Sequence, residues 1–162
     1  MSGISPRKKF AAALAAAVAA GGVAVLLCCR PAPAPVPSAM QSNYKTVELS
    51  VGAATVLAEV ADTPALREKG LSGRTGLEDG KGMWFVFDAD GLWAFWMKDT
   101  LIPLDMLWAD ASGTVVHIAH GIRPDSYPEA FATPVPARYV LEVPGGWARA
   151  HAIAEGNRIM VK

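Results

Sequence analysis

Residues 44–162 predict a mainly β domain with one or two short helices. Three observations carry that expectation. Apolar and β-branched residues alternate, or run continuously for a few positions, between clusters of Gly, Asp and Pro at short intervals. No long stretch has the three-to-four-residue apolar spacing of an amphipathic helix. No cysteine follows Cys29, so neither disulfides nor a thiolate zinc site is available and the fold must rest on its core.

The chain begins with a segment of another kind. Arg7, Lys8 and Lys9 precede an unbroken run of apolar residues and glycine from Phe10 to Leu27, closed by Cys28 and Cys29. As a helix this run reaches roughly 27 Å, close to the roughly 30 Å of a bilayer's hydrocarbon core. It fits either a cleaved signal or a retained anchor. The basic residues before it hold the N-terminus in the cytoplasm and send the remainder outward, to the periplasmic side of an inner membrane. Leu26-Leu27-Cys28-Cys29 also loosely resembles a lipid-attachment site at Cys29. Residues 1–30 are therefore expected to be a signal or membrane-anchor segment. Residues 31–43, rich in Pro, are expected to be an extended linker. Of fifteen basic residues, Arg7, Lys8, Lys9 and Arg30 lie in the leader, leaving eleven against fifteen acidic ones in the domain. Nucleic acid is an unsuitable partner for that balance.

Within the domain, Tyr44 to Val51 and Ala54 to Ala61 read as a hairpin turning at Gly52-Ala53. Thr63 and Pro64 are an N-cap and first-turn pair for a short helix through about Lys69, stopped by Gly70. Asp88-Ala89-Asp90-Gly91 reads as a turn pairing Phe87 with Leu92. That register puts Met83, Phe85, Ala94 and Trp96 on one face and Trp84, Val86, Trp93, Phe95 and Met97 on the other. A hairpin apolar on both faces belongs at the centre of the fold or along a groove. Asp110-Ala111-Ser112-Gly113 reads as a second turn, pairing Ala109 with Thr114 and placing Asp105 opposite Ile118, diagonal to His120. A second short helix is expected between Gly146 and Glu155, ended by Gly156, and a last strand over Arg158 to Val161.

The leading site candidates interrupt the most hydrophobic stretch of the domain, Leu92 to Trp108, with Lys98, Asp99, Thr100 and Asp105. A carboxylate among Ile102, Leu104, Met106 and Leu107 needs a partner to stay ionised, and Lys98, Arg74 or His120 can supply one. Asp105 then either serves structure, in an ion pair or by holding the backbone amides of a turn, or lines a small polar pocket beside an aromatic wall of Trp96 and Trp93. The tentative ligand-binding set is Arg74, Trp96, Lys98, Asp99 and Asp105. Arg67, Lys69 and Arg74, with Gly70 and Gly73, either cradle an anion or form a solvated face. Glu142, within Tyr139 to Val143, is read as pointing to solvent by strand alternation. His117 and His120 are three apart, which puts them on opposite strand faces, a poor metal pair. No nucleophile elbow, catalytic Cys or phosphate loop is present. No catalytic residue, metal or cofactor is assigned. Three readings remain: a module binding a small polar ligand or envelope partner, a hydrolase or lyase using Asp105 with His120, and a purely structural envelope protein.

Several motifs resemble one family in order. They are Thr63 with Arg67-Glu68-Lys69-Gly70-Leu71-Ser72-Gly73-Arg74, then Gly82-Met83-Trp84-Phe85-Val86-Phe87, then the block from Phe95 to Met106. Tyr139-Val140-Leu141-Glu142 and Gly156-Asn157-Arg158-Ile159 complete the match. Over about Val47 to Val161 the chain resembles the uncharacterised family called domain of unknown function 192. It departs at Asp99, where Asn is common, at Asn157, where Asp is common, and at Trp84, where Leu is usual. The resemblance implies a compact, mainly antiparallel β-sandwich or barrel-like domain with short helices, often exported, and without an established reaction.

Overall fold

The protein was analysed as a computed structural model, which describes residues 44–162. The leader and linker expected over residues 1–43 lie outside the described residues. The described chain is mainly β with two short helices, as expected, and of the two architectures expected it takes the barrel-like one. One seven-stranded sheet curls into a half-barrel, and a two-stranded sheet stands apart from it.

The first hairpin forms as its sequence dictates. β1 (Thr46–Val51) and β2 (Ala54–Ala61) pair antiparallel up to Val51 and Ala54, leaving Gly52-Ala53 as the two-residue turn. Helix α1 (Pro64–Lys69) follows, with the Thr63 hydroxyl accepting the Leu66 N–H at 3.3 Å and Gly70 ending it at φ +47°. The segment carrying α1 returns the chain so that β3 (Lys81–Gly91) runs parallel to β2. A parallel neighbour requires such a crossover.

The expected hairpin over Met83 to Met97 is not formed. β3 continues through Asp88-Ala89-Asp90 to Gly91, which pairs with Ala137 of β8 (Ala137–Pro144), and Arg138 holds Asp90 at 2.7 Å. The ladder with β8 is interrupted between Val86 and Gly91, and the turn-forming sequence is carried through this irregularity because pairing resumes at Gly91. β4 (Ala94–Trp96) instead pairs with β7 (Ala130–Ala132) in the separate ribbon. The face assignment holds for β3, where Met83, Phe85 and Phe87 share one core and Trp84 the other. It is inverted for the next segment. Trp93, Phe95 and Met97 pack with Phe85 and Phe87, while Trp96 is 55% exposed. Phe87 and Trp93 stack at 4.0 Å, so the aromatic neighbours meet without being strand partners.

The second expected turn is formed, with a changed register. β5 (Leu104–Ala109) and β6 (Val115–Ile122) pair Ala109 with Val115 and Leu107 with Ile118, and two irregularities shift the ladder. The irregularity between Leu104 and Met106 brings Asp105 next to Gly121 rather than Ile118. α2 (Trp147–Ala150) is shorter than expected, and β9 is Ile159–Val161.

The sheet order is β6-β5-β8-β3-β2-β1-β9. Its edges meet at one end, where Val115 N–H reaches Asn157 O and Ile159 N–H reaches Gly113 O, each at 2.8 Å. Leu49, Val51, Val115, Trp147 and Ile159 therefore share the concave core, and Phe85, Met97, Met106 and Trp108 share the other. Every residue of β5 is buried, and β8 is buried on both faces over Val140 to Val143. Gly113 sits where the edges close, at φ +82°, and a Cβ there would collide with the Ile159 carbonyl oxygen. Gly113→Ala is expected to lower stability by about 2 kcal/mol or more, read by urea unfolding. A loss below about 0.5 kcal/mol would show that this edge contact does not hold the barrel closed.

Candidate functional site

The five residues singled out from the sequence do not converge. Asp105 is fully buried, and its carboxylate accepts three backbone N–H groups: Gly121 at 2.6 Å, Gly146 at 3.0 Å and Ala148 at 2.9 Å. His120 Nδ1 lies 3.9 Å away. Neither Lys98 nor Arg74 pairs with it. Asp105 thus ties β5 to β6 and to the first turn of α2, the structural alternative weighed above. Arg74 makes a two-pronged ion pair with Glu59, at 2.8 and 2.5 Å, beside Tyr44. The hydrogen bond to Glu59 raises the guanidinium pKa further. This pair borders a different cleft, of about 380 Å³, with Leu57, Glu78 and Lys81. His117 turns to Glu155, 3.4 Å away, and does not join His120.

Trp96, Lys98 and Asp99 do come together. The turn Met97 to Thr100 is closed by Thr100 N–H donating to Met97 O at 3.1 Å. Asp99 has φ +56°, in the left-handed region that Asn and Asp tolerate best among residues with a side chain. Its carbonyl accepts Gly73 N–H at 2.8 Å, and Ser72 Oγ donates to Lys98 O at 3.2 Å. These bonds fasten the turn to the loop after α1. From α1, Arg67 donates to the carbonyls of Asp62 and Val86 and lies over the Phe87 ring, so its position is fixed.

Between turn and helix lies a cleft of about 410 Å³ bordered by Arg67, Glu68, Ser72, Trp96, Lys98 and Asp99. An inner recess of about 40 Å³ shares five of these and is further lined by Lys69, Thr100 and Glu142. Glu142 is the residue that strand alternation was expected to turn to solvent. Its β8 backbone pairs with Met83 of β3 on one side and Met106 of β5 on the other, and the residue is 5% exposed. Among the described residues its carboxyl has no hydrogen-bond or ion-pair partner, and neither has the Lys98 ammonium. Burial alone pushes the Glu142 carboxyl up to about 8, so it carries its proton at neutral pH. A buried, unpaired carboxyl bordering a cleft beside a free cation is the arrangement expected of a binding or proton-handling site.

A family model described as an uncharacterized group, domain of unknown function 192, matches residues 47–161. The chain belongs to that family. A solved structure from Novosphingobium aromaticivorans, a protein of unknown function, resembles the domain at 33% identity and TM-score 0.70, covering 80% of this chain and 92% of that one. A Sinorhizobium meliloti structure, provisionally described as a transcription regulator, resembles it at 28% identity and TM-score 0.71, covering 75% of this chain and 97% of that one. No curated protein matches the chain. Asp99, the position at which the sequence departs from an expected Asn, is the left-handed turn residue, and Asp and Asn both tolerate that conformation.

Proposed function

We propose that the protein is an exported envelope protein whose domain binds a small polar ligand in the cleft between α1 and the Met97–Thr100 turn. The observation that carries the binding reading is the pair of unpartnered groups, Lys98 and buried Glu142, bordering one recess. Trp96, exposed beside them, offers a flat apolar surface. The site differs from the one expected from sequence: Trp96, Lys98 and Asp99 belong to it, and Arg74 and Asp105 are occupied elsewhere. Export is supported by the basic triplet followed by the apolar run Phe10 to Leu27. A hydrolase or lyase centred on Asp105 has less support, because that carboxylate is sealed and already holds three amides.

Thermal-shift screening with envelope sugars, phosphates and carboxylates tests the binding reading. At least one compound is expected to raise the melting temperature of the wild type by several degrees and that of Lys98→Ala or Trp96→Ala by much less. If no compound separates the wild type from these variants, the cleft is not a binding site. A C-terminal alkaline phosphatase fusion tests export, since that reporter is active only outside the cytoplasm. An inactive, cytoplasmic fusion would remove the envelope assignment.

A further inference from the structure

The charge and size of the inner recess narrow the ligand's chemistry. Every ionisable group facing it can be named: Arg67, Glu68 and Lys69 from α1, Lys98 from the turn after β4, and Glu142 from β8. The strands flanking Glu142 present Met83, Phe85 and Met106, and Asp105, the acid of β5, is bound to backbone amides. Of the lining cations, Arg67 is held by the carbonyls of Asp62 and Val86 and the Lys69 ammonium lies over the Tyr44 ring, so Lys98 is the one left without a partner among the described residues, and it favours an anionic guest. At about 40 Å³ the recess admits a planar two-oxygen head and excludes a ring. The outer cleft, about 410 Å³ with Trp96 on its wall, has room for the rest of a small molecule.

Building on the ligand-binding reading above, we infer that the recess receives the carboxylate head of a small organic acid. One ligand oxygen faces Lys98, the other faces the carboxyl of Glu142, and the acid's body lies along Trp96. Glu142 then acts as a hydrogen-bond donor, its proton shared with the ligand. This use answers why a carboxyl is buried between two methionines with no partner of its own. Uptake of the acid requires that proton. A carboxylate facing an ionised Glu142 would meet a like charge on a group that is itself buried. Glu142 holds its proton up to about pH 8, so binding persists at neutral pH and fails in alkali.

The test uses benzoate and galacturonate as probes, with benzylamine and inorganic phosphate as contrasts, titrated by NMR and calorimetry between pH 6.5 and 9.5. Benzoate or galacturonate is expected to shift the Trp96 and Lys98 signals and to lose affinity about tenfold per pH unit above about pH 8. Glu142→Gln, which keeps the shape and an N–H donor, is expected to bind with a flat pH profile. Lys98→Ala is expected to bind at least about tenfold more weakly. A carboxylate that binds without pH dependence in the wild type would overturn the inference even if the variant were unstable. Binding of benzylamine or phosphate in place of the carboxylates would overturn it too, while leaving a polar-ligand cleft intact. If none of the four probes perturbs the cleft and the broader screen is also empty, the cleft reading fails with it.

Discussion

Replacing Asp105 by Ala is expected to lower the unfolding free energy by about 3–5 kcal/mol, the range for removing one partner of a buried, hydrogen-bonded charge. The loss is large because one carboxylate serves three donors on two other segments. Gly121 N–H belongs to β6, and Gly146 and Ala148 open α2. All three lose an acceptor that is itself fully buried, and the Ala148 N–H is buried with it. The docking of α2, which puts Trp147 and Ala148 into the concave core, depends on the same contact. Asp105→Asn keeps the volume and one acceptor oxygen and is expected to fall between wild type and Ala. Urea unfolding followed by circular dichroism measures both. A loss under about 1 kcal/mol for Asp105→Ala would mean that water or neighbouring carbonyls replace the carboxylate, and the clamp would not be one.

The second large effect depends on pH. A buried Glu142 carboxyl is protonated in the folded protein up to about pH 8, whereas exposed in the unfolded chain it ionises near 4.5. Between those values the native state holds a proton that the unfolded state has released. Rising pH therefore favours unfolding. The contribution is favourable below pH 4.5, declines across the interval and is flat above about 8. Glu142→Gln removes this titration while preserving shape. Its stability relative to wild type is expected to widen by the order of a few kcal/mol between pH 4.5 and 8.5, with the variant the more stable in alkali. Unfolding midpoints in urea across that range check it. A difference that does not change with pH would show that the carboxyl reaches water or a counter-charge, which would also weaken its assignment as a proton donor to a ligand.

Some elements were readable because their causes are local. Gly52-Ala53 between two alternating runs, and Thr63-Pro64 followed six residues later by Gly70, contain their own start and stop signals. The segment Asp88 to Gly91 carries equally strong turn residues and is nonetheless strand. β8 pairs with Val86 before it and with Gly91 at its end, and Arg138 fixes Asp90. Local propensity lost there to a pairing that sequence order does not reveal. The same applies to Asp105. Its burial in an apolar run signalled importance, and the choice between clamp and ligand site waited on whether β6 and α2 came close.

The sequence by itself determined a β-rich domain without cysteine support, its first hairpin and helix, the apolar faces of β3, and membership of a family through the block around Phe95 to Met106. These follow from residue chemistry and from spacings of a few positions. Tertiary structure alone decided that the sheet closes on itself at Gly113 and Ile159, that Arg74 belongs to Glu59, and that Asp105 is spent on three amides. It alone placed Glu142 at the recess beside the Met97–Thr100 turn. A glutamate in an apolar strand reads as solvent-facing until both of its neighbours are known. Here those are Met83 and Met106, each distant in sequence, and the burial they impose pushes the carboxyl's pKa up.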